Sequence, residues 1–311
     1  MANSCAIGGT TIAPRSGTMR KVLALLLSIP LTACVVGDGT DPGDQTGGGG
    51  GDGTGGGDGT GGGGGMTGTG ISGHITAPTD WTGNVTISGL TTIDAGVTVT
   101  VAAGTTITVK GQGSLQVIGT LDVQGTAASR VTFKPETQGW GGISVNAGGE
   151  LKMAFVDQTG GSITTNGSGK ATIRDTHLSK AAGDFVIMNG GTLDVSYSSI
   201  GLEPGQADTT HCQMHFNPGG NVIKVTHSNI STSSYGLMFY GGMNADFTYN
   251  NWFENTTDVD IQQGSPVSGN FSNGWFQKGA PTGQGITANN LATARLVACD
   301  GTNDALCAGS H

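Results

Sequence analysis

Six short segments of one pattern recur along the chain: Leu151–Phe155, Ala171–Asp175, Leu193–Tyr197, Ile223–His227, Ala245–Tyr249 and Val267–Phe271. Their first residues lie 20, 22, 30, 22 and 22 positions apart. Each alternates apolar and polar side chains, the period-two pattern of a strand with one buried face. Glycine precedes most of them, as at Gly148–Gly149, Gly190–Gly191, Gly219–Gly220 and Gly241–Gly242. A strand every 22 residues or so leaves no room for the helix of a βαβ crossover. A coil in which each turn stacks on the last as parallel strands satisfies both the spacing and the alternation.

A second series, Phe185–Met188, Gln213–Phe216, Leu237–Tyr240 and Val259–Ile261, falls between these segments and supplies another face of the same coil. Upstream, Val97–Val101, Ile107–Val109, Leu115–Val117, Leu121–Val123 and Val131–Phe133 alternate in the same way, which predicts earlier turns. The composition agrees. The chain has 59 glycines in 311 residues, and interior glycine costs a helix about 1 kcal/mol against alanine. No strict three-residue glycine period supports a collagen helix. A net charge of −9 argues against a nucleic-acid partner.

Together these repeats resemble the right-handed parallel β-helix of the pectate-lyase-like superfamily, over about Ile71 to Gly279. The resemblance implies an all-β solenoid with side chains stacked from turn to turn. Asn229, Asn251 and Asn273, 22 residues apart, would form a hydrogen-bonded ladder at a corner. Residues 280–311 are expected to cap the last coil, with a short helix or irregular segment over Asn290–Ala298.

The first 70 residues carry an address. Met19-Arg20-Lys21 precedes the apolar run Val22–Pro30, which is too short to span a bilayer as a helix. The run ends in Leu31-Thr32-Ala33-Cys34, similar to the lipobox of bacterial lipoproteins. That resemblance implies a signal peptide over residues 1–33, with residues 1–18 upstream of the true start, and a lipidated Cys34. Val35 in place of aspartate implies the outer membrane rather than the inner one; periplasmic and surface sides both stay open. Gly37 to Gly70 holds 20 of the glycines and only Met66 as an apolar side chain. Residues 34–70 therefore read as a disordered tether, with a root-mean-square span of about 30–35 Å.

Cysteine usage fits export. Cys5 and Cys34 precede the repeats, Cys299 and Cys307 flank a short turn and predict a disulfide, and Cys212 is left over. Asp300, Asn303 and Asp304 in that turn leave a calcium loop open as an alternative.

The 30-residue spacing contains an insertion, Gly201–Thr210, that runs into His211-Cys212-Gln213-Met214-His215. Insertions in repeat folds form loops, and loops carry function. Glu203, Asp208, His211 and His215, with His227 on a neighbouring turn, form the cluster of ligand-type residues. Strand alternation predicts that His211, Gln213 and His215 share the outer face, with Cys212 and Met214 turned inward. Zinc on His211, His215 and His227 is one use of the cluster; no cofactor at all is the other. Aromatic residues concentrate in the last coils, and Tyr235, Tyr240, Trp252 and Trp275 are candidate platforms for sugar rings.

Arg-x-Lys and Gly-His-Gly, motifs of related hydrolases, are absent. Carboxylates such as Asp246, Glu254, Asp258 and Asp260 keep a lyase or hydrolase open as the alternative. The sequence thus points to a lipid-anchored envelope protein whose β-helix binds polysaccharide or a protein partner without catalysis.

Overall fold

The computed structural model describes residues 70–137, 139–262, 266–302 and 304–311. The signal segment 1–33, the upstream residues 1–18, Cys34 and the tether up to residue 69 lie outside the described residues.

The described chain is a parallel β-solenoid, and among the described residues there is no helix. Most turns supply one strand to each of three faces. The first face is a ten-stranded parallel sheet, from Thr79–Trp81 at one end to Ile286–Thr287 at the other. The other two faces join through the long strand Asn84–Ile93, whose first half pairs with Thr106–Val109 and whose second half pairs with Ser114–Val117.

Stacking is in register along the first face. Val99, Leu121, Leu151, Ala171, Leu193 and Ile223 are successive partners. Val101, Val123, Met153, Ile173, Val195 and Val225 form the next inward column, and all twelve side chains are buried. Burying one such side chain contributes about 1.5–3 kcal/mol, and parallel rungs about 4.8 Å apart bring each against its equivalents. The third face follows the second predicted series, with Val186, Met214, Leu237 and Val259 in line.

One register predicted from the repeats differs in the structure. Lys224 pairs with Asp246 as expected, but Asp246 pairs with Asn270 and Ala245 with Gly269, not with Val267. The stretch from Asp246 to Asn270 is thus two residues longer than the preceding repeat, and the pairing is irregular between Gly242 and Ala245.

That shift decides the asparagine column. Asn251 donates Nδ2–H to Asn229 Oδ1 at 2.9 Å, but the residue stacked on Asn251 is Trp275. Asn273 is a corner residue instead, with φ 62°. It belongs to a column of non-glycine residues in the left-handed region: Phe155, Asp175, Tyr197, His227, Tyr249, Asn273 and Asn290, with φ between 51° and 62°. The N–H of each of the first six bonds to the carbonyl just before the next member, as from Tyr197 to Thr226 and from Asn273 to Asn289. This conformation costs a non-glycine residue about 1–2 kcal/mol, which the repeated corner bonds offset.

Immediately after each corner residue runs a buried polar column. Thr176 N–H donates to Ser198 Oγ, Ser198 N–H to Ser228 Oγ and Ser228 N–H to Asn250 Oδ1, at 3.2, 3.2 and 2.8 Å. Each hydroxyl in turn donates to the carbonyl two residues back. A separate outer ladder of Asn146, Asn166, Asn189 and Asn217 ends the third face, its amides 2.8–3.2 Å apart. Its members precede the glycine clusters, as in Asn146-Ala-Gly-Gly and Asn217-Pro-Gly-Gly, which is the sequence signal that could have found it.

One glycine shows how tightly the turns close. Gly161 has φ 64°, and a Cβ there would lie 2.3 Å from the Trp140 ring. Trp140 itself donates Nε1–H to Thr159 O and stacks on Phe133.

Beyond Thr287 the chain is irregular, and Asn290–Ala298 is not helical. Asn290 is already left-handed, and Leu296 exchanges two hydrogen bonds with the Asn251 side chain. Those tertiary bonds replace the ones a helix would have made. The segment returns across the first corner, held by the Cys299–Cys307 disulfide and by Gly309 N–H donating to His227 O at 2.9 Å.

Candidate functional site

The insertion after the strand Ser199–Ile200 is tied down at several points. Leu202 N–H donates to Thr232 Oγ1, Ser231 Oγ–H donates to Leu202 O, and Gly205 N–H donates to Glu254 Oε2. Asp208 Oδ1 accepts from Lys180 N–H, Thr210 N–H and the Thr210 hydroxyl at 2.7–3.0 Å. A surface loop anchored this way forms a wall of fixed shape.

Between that wall and the next two turns runs an open groove of about 460 Å³. Gln206, Asp208 and Glu254 line it with carboxyl and amide groups, together with the hydroxyls of Thr209, Thr210, Thr232, Ser233, Ser234 and Thr256. His211 closes one end.

From His211 the site continues onto the third face. Asp184 serves two imidazoles at once: Oδ1 lies 3.0 Å from His211 Nδ1 and Oδ2 lies 2.7 Å from His215 Nδ1. Facing a carboxylate, each Nδ1 carries the proton. His211 then meets Tyr235 edge-on at 5.4 Å, and His215 meets Tyr240 edge-on at 5.6 Å. Tyr240 donates its hydroxyl to Asp260 Oδ2 at 2.7 Å. Loss of solvent, with that bond, pushes the Tyr240 phenol up to about 12. Two half-buried tyrosines and two histidines thus form a strip beside the groove, oriented by Asp184 and Asp260.

Several expected site residues lie elsewhere. Trp252 is fully buried and belongs to the core, stacked on Phe276 at 5.7 Å. Trp275 is half-buried on the second face, in register with Asn251. Glu203 lies outside the groove lining and faces Arg295 at 3.4 Å. Gln213 is buried rather than outward: Cys212, Gln213 and Met214 are all buried in succession, so the start of this strand departs from strict alternation. Gln213 there donates to Ser231 O at 2.8 Å.

His227 sits at the first corner, sandwiched between Tyr197 and Tyr249 at 5.0 and 4.7 Å. Its ligand atom lies with the sulfurs of Cys299 and Cys307, all within 4.8 Å, and those sulfurs are bonded to each other. Burial lowers the His227 pKa below the usual histidine value. In the disulfide turn, Asp300 Oδ1 accepts from Thr302, whereas Asp304 faces His311 Nε2 at 3.2 Å.

Cys212 is buried, and its thiol contacts Met214 O at 2.8 Å. Burial pushes this thiol up to about 12, so at pH 8 the reactive thiolate is scarce. In the native protein Cys212 is expected not to react with an aromatic disulfide reagent at that pH, and to react once guanidinium unfolds the chain. Rapid labelling of Cys212 in the folded protein would contradict this placement.

Compared with protein-family models, curated proteins and solved structures, the chain matches none.

Proposed function

We propose that this chain is a lipid-anchored envelope protein whose solenoid holds a polysaccharide in the groove beside the Gly201–Thr210 loop. The carrying observation is one open, hydroxyl- and carboxyl-lined groove that runs directly into the Tyr235 and Tyr240 strip. Sugars present hydroxyls on their edges and apolar C–H faces, and this surface offers partners for both. A neutral glycan suits it best. Asp208, Glu254, Asp184 and Asp260 would repel a polyuronate, and the net charge of −9 adds to that.

The anchor in this reading is the lipid on Cys34, and the glycine tether supplies the reach. Binding within the groove needs no bond to be made or broken, and no cofactor enters.

The test is glycan-array binding by the full-length chain, with titration of the best ligand. Tyr235→Ala and Gln206→Ala are each expected to weaken binding at least about tenfold, or about 1.4 kcal/mol, with unchanged melting temperature. Undiminished binding by both variants would overturn the groove assignment. Cys34→Ala is expected to move the protein from the membrane fraction to the soluble one; if it stays with the membrane, the anchor is not this cysteine.

A further inference from the structure

On the second face, next to the groove, three side chains from distant parts of the sequence meet. Asp157 and His177 are register partners on adjacent turns, and both point outward. His177 Nδ1 lies 2.9 Å from Asp157 Oδ1. On its other side His177 Nε2 lies 2.7 Å from Ser310 Oγ. We propose that Ser310, His177 and Asp157 form a nucleophile–base–acid triad that hydrolyses esters, and that its substrate is an O-acylated glycan bound in the neighbouring groove.

The geometry is that of an activated serine. The base contacts the nucleophile with one ring nitrogen and is oriented through the other by a carboxylate. Asp157 is itself fixed, since Arg130 donates Nε–H to its Oδ1 at 2.8 Å and holds the backbone on either side through Val156 O and Asp175 O. Ser310 is held between two anchored residues: Gly309 N–H bonds to His227 O, and His311 N–H bonds to Asp175 Oδ1. The disulfide from Cys307 to Cys299 fixes the segment just before it.

Burial and the Arg130 charge lower the His177 pKa, more than the Asp157 carboxylate restores it. The imidazole is therefore neutral near pH 7 and free to accept a proton. The His177 and Asp157 side chains are still 47% and 42% exposed, so a substrate reaches them from solvent.

The chemistry closes on these residues and water. Ser310 Oγ bonds to the acyl carbon while its proton passes to His177 Nε2. The ester C–O bond breaks, and the sugar oxygen leaves with that proton. Water then attacks the acyl-serine, giving its proton to His177, and Ser310 is regenerated as the carboxylic acid departs. Asp157 touches no reacting atom; it is a positioning residue for the imidazole tautomer.

The substrate class rests on the glycan reading of the groove, whereas the nucleophile does not. The two sites adjoin: Lys180, whose N–H binds Asp208 of the groove wall, directly follows the strand His177–Ser179. Three residues of strand span about 10 Å. The Glu203 charge on the same loop also acts on His177.

The experiment treats the full-length chain with a fluorophosphonate, then measures hydrolysis of p-nitrophenyl acetate and of an O-acetylated xylan. Labelling is expected at Ser310, and it should be lost in Ser310→Ala. Hydrolysis should fall about 10³-fold in Ser310→Ala and His177→Ala. Asp157→Asn should slow labelling while leaving the melting temperature unchanged, a split that a tail clasp without catalysis would not produce. No incorporation at Ser310 in folded protein, or equal hydrolysis by Ser310→Ala, would overturn the triad. Turnover of p-nitrophenyl acetate without acetate release from the xylan would overturn the substrate class alone. Tyr235→Ala should reduce xylan turnover and spare p-nitrophenyl acetate; if labelling persists but no glycan binds, the groove reading fails and the nucleophile stands.

Discussion

Replacing Trp252 by alanine is expected to destabilise the solenoid by about 3–5 kcal/mol, while the folded protein keeps its sugar binding. The ring is fully buried and lies parallel to Phe276, with an interplanar angle of 6°. It also meets Phe247 and Phe271 at 6.4 and 6.1 Å, and Phe271 stacks on Phe247 at 4.6 Å. These rings fill the last turns where the register has slipped, so no aliphatic column runs through to replace them. Removing the largest ring leaves a cavity lined by flat faces that collapse poorly. Trp252→Phe should cost far less, because most of the volume stays. Urea unfolding of the three proteins measures the difference. A small loss for Trp252→Ala with a large loss of glycan affinity would return this residue to the surface.

Asn250→Ala should cost a comparable amount, about 3 kcal/mol or more, by a different route. Asn250 is fully buried and serves three backbone groups. Its Oδ1 accepts from Ser228 N–H, and its amide donates to Val225 O and Phe247 O at 2.6 and 3.0 Å. Each buried backbone group left unpaired costs about 1–3 kcal/mol. Ser198 and Ser228 perform the N–H capture on earlier turns with a hydroxyl, so Asn250→Ser should recover part of the loss. Hydrogen exchange at the Ser228 amide gives the local readout, with faster exchange expected in Asn250→Ala than in Asn250→Ser. Equal protection in both variants would show that this corner is held by packing alone.

The two variants mark what could be read from sequence and what could not. Burial of the repeated strands follows from alternation, so the aliphatic columns were legible turn by turn. Trp252 stands in the sequence as a candidate surface platform, because a three-residue strand between two corners is too short to show its inward phase. The polar column Thr176, Ser198, Ser228, Asn250 carries no sequence signal, because serine and threonine are unremarkable in a chain this rich in them. At the groove, the insertion, Asp208 and His211 stood out in the sequence. Asp184 did not, since its role depends on bridging two histidines from the turn above it.

By itself the sequence determined a parallel coil, its period and most of its buried columns, because side-chain alternation and glycine-marked corners act within a single turn of chain. Only the tertiary structure decided the two-residue slip after Asp246, the inward turn of Gln213 and the placing of Ser310 on His177. Each depends on contacts between turns or with the returning tail, where the free energy is settled by partners 18 to 133 residues away and leaves no local pattern.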